Sequence, residues 1–300
     1  MTAPPTPAAL ARQRRRRAAL RFWQGYRTHR AGLFGLAALA LFALIALTAP
    51  LTVGADVSRV TDAPGAPLQP PSGAFLLGTD RFGRDVLGLV VWGARVSLLV
   101  GLLAALLSVA IGGVVGIAAG HFRGAPATVL MRVTDWFLVM PTLVLAIALA
   151  TVLSRSLATV ILAIGVTSWP TTARLVRAQT LAVESRPYIE RAKALGGGHW
   201  HVMTRHVLPN VMPLVLAQTT LTISSAVLAE ATLAFLGLGD PTVISWGGLL
   251  QDAREAGAVS SGDWWYLVPP GIAIVLVALA FTLCGRAIES VLNPRLGVAR

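Results

Sequence analysis

The chain has 300 residues, is 55% hydrophobic and 13% charged, and carries a formal net charge of +12. A soluble domain is ordinarily about 25% charged, so this chain lacks the polar surface to cover a water-soluble globule, and lipid must cover much of its outside. The arginines flank apolar runs instead of gathering on a soluble module, which sets nucleic acid aside as a partner; the single cysteine, Cys284, lies inside an apolar run and excludes an intrachain disulfide or a cysteine-based metal cluster.

The chain opens on a basic segment, residues 1–30, with Arg12 and Arg14 to Arg17. Met1 to Thr28, rich in Pro, Ala and Arg, reads as a mobile cytoplasmic tail, either drawn to anionic lipid or simply solvated. The uncharged run that follows, Ala31–Ala55, exceeds the apolar core of a cleavable signal and is long enough to span a bilayer. It is expected to supply the first transmembrane helix over residues 31–52. Residues 53–94 then read as an extracytoplasmic segment, rich in Pro and Gly up to Gly73 and amphipathic after it.

Further uncharged stretches are Val96–Gly120, Trp136–Ser154, Ser156–Ala173, Val207–Ala229 and Trp264–Gly285. Each approaches the ~20 apolar residues that a helix needs to cross the hydrocarbon. Only helices satisfy their own backbone in an open chain there. The expectation is an all-α polytopic membrane protein with six transmembrane helices, a permease core over 95–290 and a short tail over 291–300.

Arginine placement orients these spans. With the N-terminus inside, Arg21, Arg27, Arg30, Arg123, Arg132, Arg174, Arg177, Arg186, Arg191, Lys193, Arg205, Arg286, Arg295 and Arg300 join the N-terminal arginines in the cytoplasm. Arg59, Arg81, Arg84, Arg155 and Arg254 fall outside with most of the acids, and Arg95 sits at a boundary. The positive-inside bias therefore puts both termini in the cytoplasm. Trp264 and Trp265, at the start of the last span, read as interface anchors. Trp169-Pro170 interrupts the fourth span, and a proline there either breaks the helix beside a pathway or marks its end at the headgroups.

Between the fourth and fifth spans lies a polar loop over 178–210. It carries one well-marked short helix. Glu184 or Ser185 can cap it, Pro187 suits the first turn, and Gly196-Gly197-Gly198 supplies a left-handed stop. Glu190 and Lys193 stand three apart and can pair. Ile189, Ala192 and Leu195 recur at helical spacing and give an apolar face. Such a helix either docks into a groove on another protein or packs on its own helix ends.

This segment resembles the "EAA" loop of bacterial ABC importer permeases, Glu-Ala-Ala-x3-Gly-x9-(Ile)-x-Leu-Pro. Glu190, Ala192 and Gly196 hold the first part and Leu208-Pro209 the last; Arg191 and His206 depart from it. His206 to Asn210 is itself typical of the peptide and nickel branch. Leu77-Gly78-Thr79-Asp80, Gly83-Arg84-Asp85-Val86, Gly93 to Leu98, Leu228 to Ala231, Phe235 to Gly239, Ser245-Trp246-Gly247 and Leu292 to Leu296 resemble the same branch. The resemblance runs from Leu33 to Leu296 and is nearest to the C-type permease of dipeptide, oligopeptide and nickel importers.

The resemblance implies an ABC importer permease fold in the bacterial cytoplasmic membrane, translocating peptides. It implies a second, B-type permease, two cytoplasmic ATPase subunits that bind ATP and Mg, and an extracytoplasmic substrate-binding protein. Coupling to the ATPases then falls to Tyr188, Glu190, Ala192, Leu195, Gly196, His206, Leu208 and Pro209. Nickel or another small solute is the alternative cargo, and an ion-driven secondary transporter the alternative mechanism. The chain itself cannot hold a Walker A loop, because its only lysine, Lys193, stands between Ala192 and Ala194.

Glu230, a carboxylate in the fifth apolar run, faces a cavity or a partner if it lies at membrane depth, or the interface if it lies at the run's edge. Gln218, Thr222 and Ser225 share that helix with it and are candidate pathway residues, although small polar residues also pack helices. Asp135 is expected to pair at a helix end beside Arg132. His199 and His201 are two apart, off any shared helix face, so no metal site is expected; nor is there a nucleophile–base set for catalysis.

Overall fold

The computed structural model describes residues 7–292. Residues 293–296 of the C-terminal stretch that carries part of the resemblance, and the tail arginines Arg295 and Arg300, lie outside the described residues. The basic segment expected as a tail is helical as α1 (Pro7–Arg27), and α2 (Arg30–Thr52) follows. The Tyr26 hydroxyl donates to the Gly32 carbonyl at 2.8 Å and fixes the joint between them. A 3-10 turn at Ala55–Ser58 opens the long connection to α3 (Val86–His121).

Next come α4 (Ala125–Val139), α5 (Thr142–Val152) and α6 (Leu157–Glu184). The chain continues through α7 (Pro187–Ala194), α8 (His199–Val202), one π-helical turn (Met203–Val207) and α9 (Leu208–Phe235). Two short helices, α10 (Trp246–Glu255) and α11 (Ala258–Ser261), precede α12 (Trp264–Leu292). Among the described residues there are no strands. Five helices are long and apolar enough to cross a membrane: α2, α3, α6, the continuous His199–Phe235 unit and α12. Helices α4 and α5 reach that length and apolarity only as a pair, which would bring the number to six if it counts as one span, and the pair is bent by 88° at Met140-Pro141.

Prolines decide where these helices bend, and not as the sequence reading had it. Pro170 lies inside α6, which runs on without a break; neither a break nor a helix end occurs there, because packed neighbours in a membrane helix accommodate the lost backbone bond. Pro141 is the residue that breaks a span, and it leaves Met140 extended, as a residue before proline prefers.

Caps and small residues set the packing. Asp85 caps α3 by accepting from the amides of Leu87 and Gly88, and Ser156 caps α6 by accepting from Thr159. Along α3, Gly112, Gly116 and Gly120 recur every four residues. A Cβ at Gly112 would stand 2.7 Å from the Trp169 carbonyl oxygen, and one at Gly116 would stand 2.6 Å from that of Ala173. This stripe lets α3 and α6 approach backbone to backbone, which is how membrane helices gain dispersion contact where lipid gives no hydrophobic drive. Helices α9 and α12 pack beside that pair, and α2 lies against α12. Phe34, Leu41, Leu44, Leu47 and Leu51 of α2 remain exposed, as a lipid-covered face requires.

The two ends of the bundle differ. One holds the start of α3, the long connection, α10 and α11. There Asp80, fully buried, accepts from Arg84 Nε at 2.7 Å and from the amides of Phe82 and Arg84 at 2.8 Å. Arg81 reaches across to Asp252 at 2.6 Å and Glu255 at 3.0 Å. Burial pushes the Asp252 carboxyl up, against the pull of Arg81 and Arg84. Trp246 is fully buried and donates from its indole to the Val90 carbonyl at 2.8 Å. Tyr266 is buried too, whereas Trp264 stays exposed at the start of α12. The opposite end holds the end of α3, the α1–α2 joint, α7 and the end of α12.

Candidate functional site

The predicted loop helix exists as α7, and its ends follow from backbone chemistry. Pro187 opens it, with its fixed φ already suited to the first turn. The cap is Arg186, with no side-chain hydrogen bond, and not Glu184 or Ser185: α6 runs to Glu184 and Ser185 ends it. At the other end Gly196 sits at φ 85°. Its amide bonds to the Lys193 carbonyl at 3.0 Å, and the Gly197 amide bonds to that of Ala192 at 2.9 Å. This pair of bonds closes the helix only if the residue between accepts a left-handed backbone, which glycine does without a Cβ penalty.

The expected apolar face of Ile189, Ala192 and Leu195 is divided in two. Ile189 is fully buried in a seat made by Val176, Val183, Val202, Val207 and Val211. Ala192 is half-buried. Leu195 is 89% exposed, because it stands past the last helical turn and leaves the buried stripe. Tyr188 and Glu190 also face outward, and Trp200 of α8 is 75% exposed. His206 lies between Tyr188, 6.1 Å away ring to ring, and His201, 5.5 Å away. Leu208 and Pro209 start α9 directly beyond the π turn, with Pro209 exposed. So α7 is seated on its own chain through Ile189, and Tyr188 of α7, Leu195 just past its end and Trp200 of α8 are presented away from that seat.

Charged contacts beside α7 differ from the expected ones. Lys193 pairs not with Glu190 but with Glu184, Nζ to Oε2 at 2.5 Å. The same carboxylate meets His121 Nδ1 at 2.6 Å, and His121 Nε2 meets His199 Nδ1 at 2.9 Å. His121 and Glu184 are 63 positions apart, and no local pattern marks them as neighbours; the sequence offered Glu184 only as a cap and gave no sign of His121. Asp135 pairs with Arg174 at 2.7 Å instead of Arg132, since α4 lies along α6.

The pathway candidates separate. Gln218, Thr222 and Ser225 line a cleft of about 340 Å³ together with Phe137, Thr142, Thr167 and Ser168. Thr222 and Ser225 donate back to the carbonyls of Gln218 and Leu221, at 2.9 and 3.0 Å, which leaves the cleft mildly polar without a fixed charge. Glu230 lies farther along α9 and does not line it. It is 3% exposed and faces the hydroxyls of Ser97 and Ser245, with Oε2 left without a hydrogen-bond partner. Ser97 also accepts from the Trp246 amide at 3.1 Å, so Glu230 sits where α3, α9 and α10 meet.

His199 and His201 turn to different partners, His121 and His206. Among the described residues, no three His, Cys, Asp or Glu side chains gather as a metal-ligand set. The geometry offers a mechanical surface at α7 and a polar cleft between α5, α6 and α9.

Residues 112–298 match the family described as "Binding-protein-dependent transport system inner membrane component". A Brucella suis biovar 1 protein that carries the name of a peptide transport system permease is 42% identical over 231 residues, 77% of each chain. The di/tripeptide transport system permease protein DppC of Pseudomonas aeruginosa is 38% identical over 236 residues, 76% of this chain and 77% of its own. The dipeptide transport system permease protein DppC of Bacillus subtilis is 36% identical over 228 residues, 76% of this chain and 71% of its own.

Proposed function

This chain belongs to the binding-protein-dependent transport system inner membrane components, and from that premise we propose that it is the C-type permease subunit of an ATP-driven importer that carries peptides inward across the bacterial cytoplasmic membrane. The names of its relatives support peptides over nickel as cargo. In this reading the α7 end faces the cytoplasm, as the arginine distribution requires. The described ends of the chain lie there too.

The observation that carries the proposal is the division of α7 between a buried Ile189 and an exposed Leu195. One exposed leucine is ordinary, but Leu195 stands with exposed Tyr188 and Trp200, and such a group of presented side chains is what a docking surface offers. Presented apolar side chains on a short, firmly ended helix suit insertion into a groove on another protein. The occupant of that role is a cytoplasmic ATPase subunit, which holds ATP and Mg. Tyr188, Glu190, Ala192, Leu195 and Gly196 form the inserted element, and His206, Leu208 and Pro209 carry it into α9.

Two ATPase subunits, a B-type permease that completes the pathway, and an extracytoplasmic binding protein complete the assembly. Closure of the ATPases on ATP displaces α7, and the permease pair alternates between outward- and inward-open shapes. The cleft at Gln218, Thr222 and Ser225 is this chain's share of the pathway. Hydroxyls and an amide there suit a cargo that must leave as readily as it enters. Glu230 ties the outer ends of α3, α9 and α10.

Vesicles holding the full assembly test this. Labelled dipeptide should accumulate only with ATP on the ATPase side and the binding protein opposite. Vesicles holding this chain alone should not accumulate it; uphill uptake by the chain alone would overturn the proposal.

A further inference from the structure

Beside the apolar seat of Ile189, one carboxylate ties α7 to the membrane helices. Glu184, the last residue of α6, accepts from Lys193 in the last turn of α7 at 2.5 Å and from His121, the last residue of α3, at 2.6 Å. A carboxylate can only accept, so His121 donates from Nδ1. With the ring neutral, His121 Nε2 then accepts the Nδ1–H of His199, the first residue of α8, at 2.9 Å. Three segments, α3, α6 and α7, therefore meet at one carboxylate, and α8 joins them through His121. The side chains of His121 and Glu184 are only 1% and 10% exposed, so water competes little for the bond between them.

The surroundings make this network a mechanical part. Beneath α7 lies the apolar seat of Ile189, which resists separation but has no preferred direction. Hydrogen bonds to a charged group are short and directional. Above it, α3 and α6 are locked backbone to backbone along Gly112, Gly116 and Gly120, the last of which directly precedes His121. A displacement of α7 passed to Glu184 therefore reaches both members of the most closely packed helix pair, and α6 lines the cleft at Thr167 and Ser168.

We propose that Glu184, with His121, is the strut that passes motion of α7 to α3 and α6, so that both are positioning residues for coupling although neither touches cargo or nucleotide. The proposal rests on the docking role of α7 argued above. Without the strut the ATPases still dock through Leu195 and still cycle, but α7 pivots on Ile189 and the membrane helices do not follow.

The test uses the full assembly in vesicles, with ATP hydrolysed per dipeptide imported as the readout. Glu184→Gln and His121→Gln keep size and remove the charge or the donor geometry. Each should leave ATPase co-purification intact and raise the ATP cost per dipeptide by about tenfold, the factor expected for one charge-assisted hydrogen bond. Lys193→Gln should do likewise, and Glu184→Gln with Lys193→Gln should be no worse than either alone, as members of one contact are not additive. A wild-type ratio in Glu184→Gln and His121→Gln overturns the strut. So does loss of ATPase binding with a normal ratio in the complexes that remain, since that is a merely structural role. Leu195→Asp separates the two readings. If it releases the ATPases while Glu184→Gln stays coupled, only the strut falls; if it stays assembled and coupled, the docking role falls and the strut with it.

Discussion

Ile189 and Leu195, less than two turns apart on one short segment, have opposite surroundings: Ile189 is sealed among five valines, and Leu195 is open to solvent over nearly its whole surface. Stability and docking can therefore be removed separately. Ile189→Ala empties a packed site and should cost about 2–5 kcal/mol, seen as a lower Tm of the purified chain. Leu195→Asp touches no packed neighbour and should change stability by less than about 0.5 kcal/mol, yet reduce ATPase co-purification strongly. Equal effects of the two on both measurements would contradict the division.

Gly196 has open space around it, with no atom within 4 Å of a built Cβ, but its φ of 85° penalises any side chain. Gly196→Ala should cost about 1–2 kcal/mol through backbone strain alone, fray the end of α7 and lower uptake. Gly198 is equally open and sits at φ −69°. Gly198→Ala should therefore transport normally. Uptake assays on the pair separate a conformational requirement from a steric one. Glu190→Ala, at an exposed position, should likewise leave the protein inserted and uncouple transport.

The cleft and the buried carboxylate should answer differently. Ser225→Phe projects into the cleft, and uptake should fall by about tenfold or more, the effect of ~1.4 kcal/mol on the barrier, with ATPase binding kept. Glu230→Gln, outside the cleft, should leave the apparent KM for dipeptide unchanged. Its consequence belongs to Tm, because Ser97, Ser245 and the orphan Oε2 lie at a joint of three helices. A changed KM in Glu230→Gln would place that residue in the pathway.

Asp80 and Arg84 form a buried ion pair in the connection before α3, and Asp80 also holds two amides of its own turn. Asp80→Ala leaves a nearly buried guanidinium with only the more distant Asp252 carboxylate, 3.9 Å away. That loss should cost about 3–5 kcal/mol, measured by thermal unfolding in detergent, and should free the connection to protease. Arg59→Ala, in an exposed pair with Asp56, should change neither.

Much of this fold was legible because lipid imposes one rule: apolar runs of spanning length become helices. The uncharged runs from Ala31, Val96, Ser156, Val207 and Trp264 each fall on a spanning helix, to within a few residues at the ends. The start and stop of α7 were legible for a comparable reason, since Pro187 and Gly196 act through their own backbones. What failed was choice among equals. Pro141 and Pro170 both sit in apolar runs, and only packing decides which one bends the chain. Lys193 could reach Glu190 or Glu184, and the end of α6 decides it. His121, the reach of Arg81 to Asp252 and the joint at Glu230 depend on residues brought together by whole helices, and no local period encodes them. The glycines at 112, 116 and 120 did carry a readable four-residue stripe, a signal available in the sequence and passed over.

In the proposed assembly Leu195 faces the cytoplasm and lies against an ATPase subunit. The direct measurement is cross-linking from Leu195→Cys, with Cys284→Ala to remove the native thiol, in cells that make the whole assembly. The account predicts a cross-link to the ATPase subunit and no labelling of intact cells by a membrane-impermeant thiol reagent. Labelling from outside, or a transport-competent assembly in which position 195 reaches no ATPase, would contradict it.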